Sequence, residues 1–294
     1  MTNAPIVVGV DGSPSSSDAV RWATREAEIR HAPLLLLSCI SYRGAEAAVP
    51  CIGTELRARA ERDLAAAVGI AQTQNREGEV DIRTEVHAQY APAALVDCSD
   101  SAGMIVVGRR GLGEFTGGLL GSVSSIVARH ARCPVAVIEG WSRVEDGSGP
   151  VVVGADGSAA SSAAIDVAFE ECALRGAELV ALHAWSDQNL SQIHIDPHQW
   201  EAAEQSERVL LAECLAGRTE RYPDVVVRVV VVRDRPVRHL LAEAEQAQLI
   251  VVGSHGRGGF AGMTLGSTSE ALLHITTCPL PIVRPRSGGC RLFR

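Results

Sequence analysis

Gly108-Arg109-Arg110-Gly111-Leu112-Gly113-Glu114-Phe115-Thr116-Gly117-Gly118-Leu119-Leu120-Gly121-Ser122 carries six glycines in its first fourteen positions. It follows directly on the apolar run Met104-Ile105-Val106-Val107. Glycine lets a backbone adopt positive φ and approach a ligand without a Cβ in the way. Written as G-x-x-G-x9-G-S, the pattern returns as Gly253, Gly256 and Gly266-Ser267, 145 residues later. A second anchor, Asp11-Gly12-Ser13, returns at the same interval as Asp156-Gly157-Ser158. One period shared by two separated motifs means a duplicated domain.

Outward from these anchors each half reads strand, helix, strand, helix, strand, helix, strand, helix, strand. First strands at 6–10 and 151–154 end at the Asp-Gly-Ser turn. Ser15-Ser16-Ser17-Asp18 and Ser161-Ser162 read as helix starts, with helices running to about Arg30 and Arg175. Second strands are expected at 34–40 and 179–185, then helices at 55–74 and 198–218. Third strands at 81–87 and 225–232 follow, the latter almost all valine. Short helices at 92–101 and 236–246 lead into 104–107 and 249–252. Apolar strands without alternation indicate burial on both faces, as in a parallel sheet between helices. The regular alternation of strand and helix gives the same α/β answer. The expected fold is two tandem doubly wound, five-stranded Rossmann-like domains, at 1–142 and 151–286. Glu145-Asp-Gly-Ser-Gly-Pro150 marks a linker around 143–150. Ligands of such sheets sit beyond the carboxyl ends of the strands, where the strand order switches. Asp11, Gly108, Asp156 and Gly253 all follow strands and belong on that edge.

At 294 residues the chain has length for two ordinary domains. It is 46% hydrophobic but only 4% aromatic, so its cores are aliphatic. A formal net charge of −8 with so few aromatics argues against nucleic acid as a partner. The first residues, Met1-Thr2-Asn3-Ala4-Pro5, lack a signal peptide's basic start and apolar run. No apolar stretch has the length of a membrane span. A soluble, cytoplasmic protein without membrane contact is expected. Cysteines at 39, 51, 98, 133, 172, 214, 278 and 290 form no C-x-x-C pair and read as reduced, buried small residues.

Gly121 and Gly266 precede Ser122-Val123-Ser124 and Ser267-Thr268-Ser269, which open apolar helices. Free N–H groups at a helix start, with the macrodipole, attract phosphate. The serine hydroxyls can add donors. Neither loop is a P-loop, since G-x-x-x-x-G-K-[ST] is absent, and neither is G-x-G-x-x-G, which disfavours a nicotinamide dehydrogenase.

With these loops and the Asp-Gly-Ser turns, the chain resembles the ATP-binding branch of the universal stress protein family. Its length and layout are similar to the tandem-domain members of mycobacteria and related actinobacteria. The resemblance runs from about Pro5 to Pro285. It implies one ATP per domain, with Mg2+ held mainly through the phosphates. By the same resemblance Asp11 and Asp156, with Gly12 and Gly157 in their turns, lie on the ribose and phosphate side. Cys39 and Ala184 fall where a backbone contact to adenine is expected. Gly108, Gly111, Gly121, Ser122, Val123 and Ser124 would hold phosphates in the first domain. Gly253, Gly256, Gly266, Ser267, Thr268 and Ser269 would do so in the second.

The halves also differ. Ser38-Cys39 answers to His183-Ala184, and Arg109-Arg110 to Ser254-His255. The arginine pair can meet phosphate or stay solvated. His183 reads as a strand-end packing residue, and His255 as a candidate for pH-sensitive phosphate contact. Efficient ATP hydrolysis needs a positioned water and a cation on the transferring group, usually lysine or an arginine finger. The loops show no evident set of that kind and no catalytic residue is assigned. The expected function is an ATP-binding stress-response regulator with slow or absent hydrolysis. An ATPase or an adenylyl-transferring enzyme on a related fold is the alternative. An unidentified protein partner is expected, and there is room for a homodimer.

Overall fold

The computed structural model describes residues 4–41, 50–75, 78–112, 120–140, 149–186, 196–257 and 264–285. The chain divides into two compact units at about residue 143. The expected linker falls mainly outside the described residues.

In the first unit the elements run β1 (Ile6–Gly9), α1 (Pro14–Arg30), β2 (Leu34–Cys39), α2 (Pro50–Gln74), β3 (Ile82–His87), α3 (Ala91–Cys98), β4 (Met104–Gly108), α4 (Ser122–His130) and β5 (Val135–Ile138). The second unit repeats them as β6 (Val151–Gly154), α5 (Ala159–Arg175), β7 (Leu179–Ala184), α6 (Pro197–Arg221), β8 (Val227–Val232), α7 (Pro236–Ala244), β9 (Leu249–Gly253), α8 (Ser267–Ile275) and β10 (Leu280–Val283). Strand order is β3-β2-β1-β4-β5 in the first unit and β8-β7-β6-β9-β10 in the second. Within each unit the paired strands are parallel, as in Ile6↔Leu34 and Ile6↔Met104, or Val151↔Leu179 and Val151↔Leu249.

This order follows from right-handed crossovers. From β1 the chain moves outward to β2 and β3, then returns to the other side of β1 as β4 and β5. Helices α1 and α2 pack together, as do α3 and α4, and the change of direction places the two pairs on opposite faces. The switch in order lies between β1 and β4, and between β6 and β9. The turns after β1 and β4 therefore face each other across a crevice.

Branched aliphatics fill the layers. Ile6, Val8, Leu34, Leu36, Ile105 and Val106 have no exposed surface, nor do Val151, Leu179 and Ile250. Phe169 of α5 is equally buried and stacks on Tyr222 with ring centroids 5.9 Å apart. Inside α1 and α5 lies a feature that hydrophobic patterning misses. Glu26 and Arg30 pair at 2.5 Å while almost wholly buried, and Glu171 pairs with Arg175 at the equivalent place. Each carboxylate sits one turn before its arginine, so neither charge is buried alone.

Three expectations need correction. The helices start earlier than the serine clusters, because Ser13 and Ser158 are the caps, accepting from Ser16 and Ser161 N–H at 3.1 Å each. The valine run at 225–232 is not buried on both faces. It forms β8 at the end of its unit's strand order, and Val226 beside it is 67% exposed. Nor are all cysteines buried. Cys133, Cys172 and Cys278 are, but Cys51 is exposed on α2, and Cys290 lies outside the described residues. Among the described residues no helix is long and apolar enough to cross a membrane.

Candidate functional site

Each Asp-Gly-Ser turn is built to clamp the glycine loop opposite. Gly12 and Gly157 take φ of 79° and 80°, which turns the chain sharply at the strand end. Asp11 Oδ1 accepts from Ser13 N–H at 3.0 Å, and Oδ2 accepts from Leu112 N–H at 3.3 Å. Asp156 does the same with Ser158 N–H at 2.9 Å and Arg257 N–H at 3.0 Å. The cap serines complete the clamp, Ser13 Oγ donating to Arg110 O at 3.3 Å and Ser158 Oγ to His255 O at 3.2 Å.

The spaced glycines serve this closeness. A Cβ on Gly108 would stand 2.6 Å from the Ser15 carbonyl carbon, and one on Gly253 would stand 2.7 Å from that of Ala160. These first glycines let a strand end press against the opening turn of α1 or α5. A Cβ on Gly111 would meet Asp11 Oδ2 at 2.5 Å, and one on Gly256 would meet Asp156 Oδ2 at 2.6 Å. The second glycine of the pattern is thus needed by the aspartate as well as by any ligand.

The third glycine opens a helix. Gly121 and Gly266 are N-caps without a side-chain cap bond. The first helical bonds are Ser125 N–H to Gly121 O at 3.0 Å and Glu270 N–H to Gly266 O at 2.9 Å. The amides of Ser122, Val123 and Ser124, and of Ser267, Thr268 and Ser269, precede them and fall among the helix-start donors that lie outside the ladder. Ser122 and Ser267 are exposed. Ser124 and Ser269 are buried, and their hydroxyls strap the helix to the preceding strand end. Ser124 Oγ donates to Arg109 O and Gly121 O, each at 3.0 Å, and Ser269 Oγ to Gly253 O at 2.5 Å.

In the second unit these parts enclose a cavity of about 170 Å³. Asp156, Ala184, Gly253, Gly256, Gly266, Ser267, Thr268 and Ser269 line it, as does His255, whereas Gly157 lies outside the lining. Sequence reading missed the apolar wall, made by Leu182, Pro236, Leu240 and Val252. A signal existed in part: Leu182 and Ala184 share a face of β7 by period two, and Pro236 and Leu240 share a face of α7 by period four. Arg235, before Pro236, holds a left-handed φ of 53°. His183 faces the opposite side of β7, with Nδ1 2.6 Å from Ala155 O and Nε2 2.9 Å from Glu207 Oε2. It ties α6 to the strand ends.

The first unit arranges its side chains differently. Arg109 is buried and forms an ion pair with Glu139, whose other oxygen is 3.7 Å from Arg110. Burial lowers the Arg109 pKa, and neighbouring Arg110 lowers it further. Arg109 is therefore neither a solvated charge nor a group reaching toward the cradle. Asp63 of α2 lies over the turn, its Oδ1 2.7 Å from a Cβ built on Gly12. Cys39 ends β2 opposite His87, its thiol pushed up to about 11 by burial first and by Cys98 second.

Chemically, the cradle joins uncapped helix-start amides, one aspartate and an apolar wall. That combination suits an anionic ligand with an apolar part. Among the described residues no group of three or more His, Cys, Asp or Glu is placed to hold a metal ion.

Comparison with known proteins agrees with this architecture. The sequence profile of the Universal stress protein family matches residues 2–139 and again 148–284. A universal stress protein of Mycobacterium tuberculosis is 43% identical over 288 residues, covering 95% of this chain and 96% of the relative. Another, from Mycolicibacterium smegmatis, is 43% identical over 294 residues, covering 97% and 98%. Among solved structures, a universal stress protein from Archaeoglobus fulgidus superposes with a TM-score of 0.73 at 20% identity, over 97% of this chain and all of that one. One from Pseudomonas aeruginosa gives 0.63 at 18% identity, over 96% and 94%. Those two structures speak to fold alone. The double match and the near full-length relatives show that the chain belongs to the universal stress protein family, with two of its domains in tandem.

Proposed function

We propose that this protein binds one adenine nucleotide in each half, ATP with Mg2+, and acts as a stress-response regulator through occupancy rather than turnover. Support comes above all from the start of α8. Its residues Ser267, Thr268 and Ser269, without a side-chain cap before them, line a cavity together with Asp156 and the apolar Leu182, Pro236, Leu240 and Val252. The amides of Ser267, Thr268 and Ser269 would take phosphate oxygens, with the helix dipole behind them. The apolar wall at Leu182 and Leu240 would take the base, beside the Ala184 backbone. Asp156 would hold the turn and offer a lone pair to the ribose. Mg2+ would be carried by the phosphates and water, a usual arrangement for that ion.

Slow turnover is assigned because, among the described residues, the cavity lining supplies hydroxyls, amides, the Asp156 carboxylate and the His255 imidazole, with no lysine or arginine. Phosphoryl transfer is driven chiefly by cations at the transferring group and a positioned nucleophile. A regulator of this kind would work through a protein partner that reads the loaded form. Mass spectrometry of the freshly purified, denatured protein tests the ligand, with ATP or ADP expected. Calorimetry tests the stoichiometry, two per chain. Labelled ATP in single turnover tests the mechanism: turnover near 1 per second or faster, an ordinary enzyme rate, would make it an ATPase instead.

A further inference from the structure

We infer that His183 is a positioning residue for the second site, a proton-operated latch that grips the turn carrying Asp156 and releases it when one proton leaves. The latch belongs to the folded chain itself, and its effect on a ligand rests on the nucleotide reading above.

One imidazole stands between two acceptors. Nδ1 lies 2.6 Å from the Ala155 carbonyl oxygen, and Nε2 lies 2.9 Å from Glu207 Oε2. A carbonyl only accepts, so Nδ1 carries a proton. The contact with Glu207 needs a second one, on Nε2 or on the carboxyl group. That proton reaches water by way of Glu207, whose side chain is 16% exposed against 6% for the ring. Once it leaves, a single ring proton serves two acceptors. A hydrogen bond to a carboxylate is roughly twice as strong as one to a neutral oxygen. The remaining proton therefore sits on Nε2, and the Ala155 carbonyl is let go.

The carbonyl belongs to the peptide that joins Ala155 to Asp156, and both residues line the cavity. At the other end of that peptide Asp156 N–H donates to Ser161 Oγ at 3.0 Å. Pinned on both sides, the peptide plane is fixed, and with it the start of the turn that clamps the Arg257 amide. Loss of the His183 pin loosens the turn without undocking α6. Leu211 and Leu215 stay buried, and Trp200 packs on Trp185 with ring centroids 5.5 Å apart. The first unit has Ser38 at the place of His183, which does not titrate in this range. Its Ser16 Oγ, matching Ser161, donates to Ser13 O at 2.9 Å.

The other charged groups on the packed elements are engaged elsewhere. On α6, Glu204 holds Arg208. Val231 of β8 is the register partner of His183, and Arg233 beyond it lies over the Trp200 ring. Helix α5 has no charged residue before Asp166, which takes Arg218. Beyond β6, Asp156 is bound to the Ser158 and Arg257 amides. Glu207 is the group that shares the proton.

Nitrogen-15 spectra of the imidazoles in the ligand-free full chain read the latch directly, with His183→Asn identifying its signals. Between about pH 5 and pH 8, where imidazoles titrate, His183 should pass from both nitrogens protonated to Nε2–H alone. Nδ1–H alone at the upper end, or one form throughout, would overturn the latch. Hydrogen exchange with ATP over the same range reads its effect. Protection at 266–275 reports the second site, and protection at 121–130 reports the first, which corrects for titration of ATP itself. Second-site affinity should fall about fivefold relative to the first as pH rises, as for the loss of one hydrogen bond. His255 lines the same cavity, so the fall should persist in His255→Asn. Glu207→Gln should abolish it and keep the low-pH affinity, because an amide can donate to neutral Nε2 while Nδ1–H keeps Ala155. His183→Asn, whose amide nitrogen can stand in for Nδ1, should bind well at every pH, and His183→Ala weakly at every pH. Equal pH dependence at the two sites, its survival in Glu207→Gln, or its disappearance in His255→Asn would overturn the inference and leave nucleotide binding standing. ATP protecting neither helix while the ring titrates as expected would overturn the nucleotide reading and leave the latch.

Discussion

The two cradles agree in their backbone and disagree in the side chains beneath it. Asp11 and Asp156 each bind the amide two residues on and a loop amide about a hundred residues away. Gly108 and Gly253 each press a strand end onto a helix with no room for a methyl group. One layer down, Arg109 with Glu139 stands where the other half has Ser254 with Arg284. Contacts between main chains tolerate no change of size. The side chains beneath them can change without moving the chain.

The sharpest test of the shared layer is Gly108→Ala and Gly253→Ala. The added methyl would meet backbone at 2.6 and 2.7 Å, so each should cost about 1–3 kcal/mol of stability by overpacking. Thermal or denaturant unfolding measures it. A loss in one half only would mean that the halves do not share the strand-to-helix contact.

Next come Asp11→Ala and Asp156→Ala, each expected to weaken nucleotide binding in its own half by about 1–3 kcal/mol. Calorimetry reads this directly. Exchange at the loop amide should also quicken without ligand, more at Arg257, bound at 3.0 Å, than at Leu112, bound at 3.3 Å. Unchanged affinity in both variants would reduce the aspartates to loop clamps.

Gly12→Ala and Gly157→Ala separate the two turns. Both positions need left-handed backbone, which costs a residue with a Cβ about 1–2 kcal/mol. Only Gly12→Ala must also displace Asp63. The excess should vanish in an Asp63→Ala background, a coupling that a double-mutant cycle isolates. Equal losses in the two turns would show that Asp63 gives way freely.

The smallest effect is alkaline. Burial pushes the Cys172 and Cys278 thiols up to about 12, aided at Cys172 by Glu171. An unfolded thiol ionises near 8.5, so stability is full below that pH and falls as pH rises toward the folded values. Each thiol should remove less than about 1.4 kcal/mol per pH unit. Cys172→Ala and Cys278→Ala should flatten the fall between pH 8 and 10. An unaltered slope would place the titrating groups elsewhere.

Much of this was legible in the amino acids because it is local. The 145-residue repeat, the apolar strands and the Gly-Ser helix starts express short-range preferences of backbone and burial, and they led to two parallel-sheet domains. Local signals failed where the answer depended on a neighbour. Ser15 to Ser17 look like a cap as much as Ser13 does, until the turn geometry gives Ser13 the Ser16 amide. The valines of β8 look buried, until the strand order leaves them without a flanking strand on one side.

Spacing and composition encode directly a duplicated α/β protein with a glycine cradle and an acidic turn in each half. What those residues touch depends on the folded chain. Folding turns Arg109 inward to Glu139, brings the Arg284 guanidinium to the Thr264 carbonyl, lays Asp63 on Gly12 and builds the apolar wall from Leu182 and Leu240. Each of these is a pairing set by strand order and crossover handedness, which no local pattern in the chain encodes.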